Sequence, residues 1–462
     1  MQITVKNLGA IRQAQFELGD MTIICGGNNT GKTYATYALF GFLTFWRDTL
    51  KVPVAAEVIE ALLKDGSAEL NIEHYLSHAQ QFVDDGCRSY TKNLSRVFAS
   101  SEKHFSDSEF SISIGDQGVQ PADTYERTIG TAKDSLFQIS KQAGDPRLRI
   151  SLLVDKSKFR VPHSAVEEMI SEAIEEVIFG SLFPRPFIAS AERTGAAIFR
   201  KELNFSRNRL LEELGSIKTE INPFELMSKV YSDYALPVKS NVDFTRQLES
   251  LAKEESFVAK QHPEILADFS DIIGGDYQVT RNDELYYVPK GSKVKLTMDE
   301  SSSAVRSLLD IGFYLRHVAT PGDLLIVDEP ELNLHPANQR RVARLFARLL
   351  PVGIKVFITT HSDYIIKELN TLILLNQDSP RLQALAEREG YRQDERLDFR
   401  RVRVYIAEES LIKLNGGARK VKCKTLVPAN VTAESGIEAR SFDETIEDMH
   451  RIQDEIVWGG EA

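Results

Sequence analysis

Cysteine is scarce in this chain. Only Cys25, Cys87 and Cys423 occur among 462 residues, far apart and without the spacing of a disulfide framework or a zinc site. This excludes a stapled fold and predicts a reducing, cytoplasmic setting. Long apolar runs are also lacking. A membrane span needs about 20 apolar residues; the most apolar stretch, 34–46, is shorter and reads as a helix buried in a core. The first ten residues, MQITVKNLGA, hold no apolar signal core and read as a strand. Sustained heptads are absent, and Pro162, Pro184, Pro223, Pro237 and Pro263 would interrupt any long helix, which excludes a coiled-coil arm. Positive charge is outweighed, with 56 Lys and Arg against 67 Asp and Glu. The net charge of −11 excludes a protein that coats nucleic acid over its whole surface. Two local basic clusters remain: Arg147, Arg149, Lys156, Lys158 and Arg160, and Arg419, Lys420, Lys422 and Lys424.

The length suits two or three domains, and an apolar content of 42% is enough for real cores. The most specific feature is Gly26 to Thr33, GGNNTGKT, between the apolar strand Met21–Cys25 and an apolar helix beginning at Lys32. Gly26 and Gly31 let the backbone turn and approach a phosphate. The N–H groups through Asn28, Asn29 and Thr30 form a concave nest, and the helix start behind them favours negative charge. Lys32 brings a point charge to the β- and γ-phosphates, and the Thr33 hydroxyl is a ligand for Mg2+.

Far downstream, residues 324–327 form a short apolar run ending in Asp328-Glu329-Pro330. The run reads as a buried parallel strand with two carboxylates at its C-terminal edge, where open α/β sheets place their chemistry. Asp328 is assigned to the metal and Glu329 to the attacking water. Upstream, Glu300-Ser301-Ser302-Ser303 opens a helix with Val305, Leu308, Leu309, Gly312 and Leu315 on one face, and serines at a helix start form an anion site. Leu332 to Pro336 leads into an amphipathic helix with Pro336 in its first turn. Lys355 to Thr359 reads as the next strand, and His361 beyond it can bond a γ-phosphate.

This order of phosphate loop, serine-rich helix start, DEP and TTHS resembles the ABC-type ATPases, most closely the SMC, RecF and OLD-like group. The resemblance implies an ABC-type α/β P-loop nucleotide-binding domain, with ATP sandwiched between the phosphate loop of one subunit and the serine-rich helix of another. It implies that Ser302, with Ser303, binds the opposing subunit's ATP. Asn333 to His335 would cross the dimer, and His361 would be the switch histidine. The segments 187–195 and 273–277 also resemble the ATPase subunits of bacterial anti-phage systems of the Septu and PARIS kinds. One departure is that Ser303, Ala304 and Val305 stand where that family has two glycines and a Gln or Glu. The family's glutamine loop has no position fixed by spacing.

Between Thr33 and Ser302 the chain is much longer than such a core needs, so an insertion is expected. The predicted organisation is an ATPase domain from 1–50 and 181–376, a mostly helical insertion lobe over 51–180, a second helical insert about 199–265, and a C-terminal α+β appendage over 377–462. Helices are predicted at 54–63, 72–98 (interrupted near Gly86) and 199–220. Ser164 with Glu167 reads as a capping box for another. Phe110, Ile112 and Ile114 suggest a strand. Strands at 397–409 and 422–428 flank a Gly416-Gly417 turn, and Ser441 to Glu444 opens a terminal helix. The appendage has no DxD pair for a nuclease of the OLD type. His74 and His78 share a helical face without a third metal ligand.

Three functions remain open. One is an ATP-hydrolysing subunit of an anti-phage complex, at least a homodimer, controlling a separate effector, a nuclease. Another is a RecF-like clamp on DNA, and direct contact with DNA or RNA is open in either case. The last is a scaffold held together by ATP with little turnover. No membrane partner is expected.

Overall fold

The computed structural model describes residues 1–115, 118–130, 135–154, 161–198, 234–280, 284–414, 417, 419–438, 449 and 451–456. The chain divides into two compact units. One comprises residues 1–4, 41–94 and 108–185; the other comprises 5–40, 95–107 and 186–462. The boundary falls inside the helix Lys32–Thr49, where the sequence itself shows no break.

The larger unit is built on a six-stranded sheet. Its order is Lys420–Pro428, Val402–Lys413, Met21–Cys25, Lys355–Thr360, Leu324–Asp328 and Pro186–Ala189. The first pair is antiparallel and every other pair is parallel. Met21–Cys25 and Leu324–Asp328 are buried at every position. Parallel strands covered on both faces need such unbroken apolar runs, which is why these two were legible as strands. Helix Pro336–Leu349 starts with His335 as its N-cap and Pro336 in its first turn, where the missing N–H costs no bond. Arg340 and Arg344 of that helix both reach the buried Glu368 of helix Asp363–Leu374, at 2.6 and 2.7 Å. The two helices that follow the acid turn and His361 are thereby locked together.

The smaller unit carries a four-stranded antiparallel sheet ordered Ser67–Asn71, Arg147–Leu152, Ser135–Lys141 and Tyr125–Gly130. Helix His163–Phe179 buries Val166, Ile170, Ala173, Ile174, Val177 and Ile178. Helix Ala79–Thr91 runs through Gly86 without a break, because Gly86 packs against the Leu50 side chain, leaving no room for a Cβ. Phe42 stacks on Phe110 and meets Tyr90 and Phe183 edge-on, an aromatic core for this unit.

These elements correct two expectations. The lobe at 51–180 is a mixed α/β body rather than a mostly helical one. Its strands bury at most three residues each, such as Ala68 and Leu70, or Leu148 and Ile150, and Tyr125–Gly130 buries none, a faint signal in so few positions. The region 377–462 is not a separate appendage. Val402 to Ile406 pairs in parallel with Met21 to Cys25 and extends the six-stranded sheet.

Smaller differences follow the same logic. Helix His163–Phe179 is capped by Pro162, so Ser164 lies inside it. The strand expected around Phe110 spans Glu109–Ser113. The helix at 199–220, Lys156, Lys158, Arg160, Gly416 and the start of the terminal helix lie outside the described residues. Among those described, no helix is long and apolar enough to cross a membrane.

Candidate functional site

The phosphate loop leaves the buried strand Met21–Cys25 and enters helix Lys32–Thr49. Gly26 has φ +134° and a Cβ there would stand 2.5 Å from the Ala407 carbonyl oxygen. Gly31 has φ +106° and its Cβ would meet Ile11 Cγ1 at 2.5 Å. Both glycines are required by backbone conformation and by space. Asn28 and Asn29 are exposed, and Asn29 adopts φ +60° at the loop tip. Thr30 Oγ1 donates to the Gly27 carbonyl at 2.9 Å. Lys32 lies inside the loop and donates to the carbonyls of Gly26 and Gly27 at 2.9 and 2.8 Å. Burial lowers its pKa, while Glu329, Asp328 and Glu331 pull the other way. Thr33 is exposed at the helix start.

The acids stand at the end of the strand two places along the sheet. Asp328 is 1% exposed, and burial pushes its carboxyl up to about 6. Thr359 Oγ1 donates to its Oδ1, and its Oδ2 is buried with no protein partner. A buried, orphaned carboxylate oxygen costs on the order of 1–3 kcal/mol, and a hydrated divalent cation would satisfy it. Thr33 and Asp328 therefore fit the demands of Mg2+. Glu329 adopts φ +53°, a left-handed conformation that costs a non-glycine residue about 1–2 kcal/mol. Its N–H donates to the Thr359 carbonyl at 3.1 Å.

His361 follows strand Lys355–Thr360, and its Nδ1 lies 3.1 Å from Glu331 Oε1 and 3.7 Å from Glu329 Oε1. Glu331 is nearly buried and also accepts from Thr360 Oγ1 and the His361 N–H, at 2.9 and 2.7 Å. It was not among the expected site residues. The signal available was a third carboxylate two positions beyond Glu329, on the same turn.

Ser302 is exposed and caps helix Ser303–Ser307, accepting from the Val305 N–H at 3.3 Å. Ser302 and Ser303 are thus presented at a helix start, as the sequence implied. Arg193 links the end of their helix to the acid turn. That side chain is fully buried and donates to carbonyls of Ser307, Asp328 and Glu329. Glu192, beside it, accepts from Tyr37 Oη at 3.0 Å. Of the second basic cluster, Lys424 donates to the Asn29 carbonyl at 2.9 Å and Lys422 pairs with Glu409. In the first cluster, Arg147 and Arg149 are both engaged with Glu69 and Asp145. Among the described residues no group of three or more His, Cys, Asp or Glu side chains could hold a metal ion by itself. A site at Asp328 would therefore draw on the hydroxyl, water and the phosphates.

Residues 96–367, more than half of the chain, match the model of a protein family described as "AAA domain, putative AbiEii toxin, Type IV TA system". The match covers Arg193, Ser302, Asp328, Glu329 and His361 and starts beyond the phosphate loop. No curated protein matches the chain. Among solved structures, it is similar to an SMC head bound to the C-terminal winged-helix domain of ScpA, with 12% identity, 92% of this chain and 97% of that one covered, and a TM-score of 0.32. It is also similar to the SMC head domain from Thermotoga maritima, with 10% identity, coverage of 93% and 98%, and a TM-score of 0.30. A Pyrococcus furiosus structure, an Smc head domain with an extended coiled coil bound to the C-terminal domain of ScpA, gives 13% identity, coverage of 98% for both chains, and a TM-score of 0.31.

Proposed function

The chain belongs to this AAA-domain family of P-loop ATPases, and from that premise we propose that it binds ATP with Mg2+ and hydrolyses it between two copies of itself. The N–H groups of Gly26, Asn28, Asn29, Thr30 and Gly31 cradle the phosphates. Lys32 gives up its carbonyl partners for the β- and γ-phosphates. Thr33 and Asp328 would hold Mg2+, which when bound neutralises charge that develops on the phosphates. Glu329 orients the attacking water and accepts its proton. His361, held by Glu331, bonds the γ-phosphate. Ser302 and Ser303 reach the ATP of the second copy. The ATPase controls a separate effector, a nuclease, in bacterial defence against phage.

The observation that supports this reading most is the buried, unpartnered Oδ2 of Asp328 beside a phosphate loop whose lysine is already folded inward. Buried polar atoms are seldom left without a partner.

Phosphate release and fluorescent-nucleotide binding test the reading. Wild type is expected to release phosphate only with Mg2+. Lys32→Ala abolishes binding, and Glu329→Gln still binds but turns over at least about 100-fold more slowly, the scale of losing one transition-state group. Wild type that binds no nucleotide overturns the proposal. Phage plating with the neighbouring gene co-expressed, wild type against Lys32→Ala, tests the defence role; equal protection by both removes it.

A further inference from the structure

Arg193 is buried in the larger unit, 1% exposed, on the short helix Arg193–Ile198 that follows strand Pro186–Ala189. A guanidinium has five N–H groups, and four of these go to main-chain carbonyls. Nε donates to Ser307 at 2.7 Å; Nη1 donates to Ser190 at 2.8 Å and Asp328 at 2.7 Å; Nη2 donates to Glu329 at 2.9 Å. The buried Asp310, just beyond Ser307, lies within the field of the cation.

A fully buried charge is costly unless its hydrogen bonds are met, and here they are met by carbonyls from three separate places. Ser190 closes the edge strand. Asp328 and Glu329 are the acid turn. Ser307 ends the helix that Ser302 caps. One rigid, planar group therefore fixes both the helix that offers Ser302 outward and the peptide that aims Glu329. Glu329 stands in the left-handed region, where its direction depends on the bonds on either side: its own N–H to Thr359, and its carbonyl to Arg193. A displacement of the serine-capped helix pulls on the same cation that holds the acid turn.

We propose that Arg193 is a positioning residue that couples the two ATP sites to which one chain contributes. Engagement of Ser302 with nucleotide on a second copy sets the orientation of Glu329 over the chain's own nucleotide. The inference rests on the ATPase reading above and adds a path between sites.

Arg193→Lys keeps the charge but cannot span four carbonyls. Its ATP affinity is expected to stay within about twofold of wild type while kcat falls at least about 10-fold. Ser302→Ala lowers kcat in wild type, yet adds little in the Arg193→Lys background, because both act through one link. Unchanged kcat in Arg193→Lys, or losses that simply multiply in the double variant, overturn the inference. Hydrogen exchange provides a readout independent of any Arg193 variant. With a non-hydrolysable ATP analogue, peptides covering 302–308 and 326–331 gain protection together in wild type. Both lose that gain in Ser302→Ala. Protection of 326–331 that survives Ser302→Ala also overturns the coupling. If wild type shows no Mg2+-dependent turnover, the ATPase reading itself falls; if wild type turns over and Arg193→Lys matches it, only the coupling falls.

Discussion

Glu175 is buried in the smaller unit at 2% exposure, on helix His163–Phe179. Its Oε1 accepts from the Val52 N–H at 3.3 Å and from Ser171 Oγ at 3.0 Å. Burial pushes its carboxyl up to about 7, and those two bonds only partly oppose the shift. A carboxyl whose folded pKa is raised favours the folded state fully below its unfolded pKa, about 4.3. That advantage is lost as pH rises toward 7, because the unfolded chain ionises freely while the folded one resists. Glu175→Gln keeps the acceptor oxygen without the charge. Raising the pH from 5 to 8 should therefore stabilise the variant relative to wild type by about 2–3 kcal/mol in thermal melts. An equal difference at both pH values would show that Glu175 is ionised throughout. Individual residues differed in how far the sequence disclosed them. Lys32, Asp328, Glu329 and His361 were legible because their neighbours in sequence define them: a glycine-framed turn, or the end of an apolar run. Arg193, Glu331 and Glu175 were not, because each takes its role from partners 30 to more than 100 positions away.

At the scale of elements, the phosphate loop depends on a strand that follows it by almost 400 residues. The carbonyl of Ala407, within strand Val402–Lys413, stands where a Gly26 Cβ would go. The next residue gives a control: a Cβ on Gly27 has only Thr30 Cγ2 nearby, at 4.0 Å. Gly26→Ala should lose nucleotide binding and about 2 kcal/mol or more of stability, from strain and displacement of the neighbouring strand. Gly27→Ala should stay within about 0.5 kcal/mol and keep binding. Denaturant melts and nucleotide titration check the pair, and equal effects would mean the loop can move away from the strand. The same strand explains why the end of the sheet escaped the sequence reading. Its apolar residues announce a strand, but nothing local says that it pairs with Met21–Cys25. The strands of the small antiparallel sheet are harder to read for another reason, since each is only five to seven residues long and alternation over so few positions is a weak signal. Buried parallel strands, the serine-led helix start at Ser302, Pro336 in the first turn of its helix and the glycine turn were legible because their causes are local.

At the scale of the whole molecule, Ser302 forces the question of assembly. It is exposed at a helix start, and Arg193 ties Ser307 of the same helix to the acid turn of its own chain. A helix N-terminus with a serine cap gives an anion about 0.3–1 kcal/mol at an exposed site, too little to recruit ATP alone. The same contact made to ATP already held by Lys32 on another copy gains from effective concentration and closes a second site by symmetry. Ligand that binds only the paired form shifts association by mass action. Glu329→Gln should retain ATP and hold that form. Light scattering of this variant is expected to show twice the monomer mass with Mg2+-ATP and the monomer mass without nucleotide. Adding Ser302→Glu places a carboxylate against a γ-phosphate, where like charges repel, and should return the ATP-bound protein to monomer mass while leaving fluorescent-nucleotide binding at Lys32 within about threefold. Ser303, Ala304 and Val305 crowd the helix start more than glycines would, so the closed form should be weak, with half-association at micromolar chain rather than nanomolar, or about 8 against 12 kcal/mol. A mass that stays at the monomer with ATP across that range would mean Ser302 serves the chain's own fold and not a partner's nucleotide.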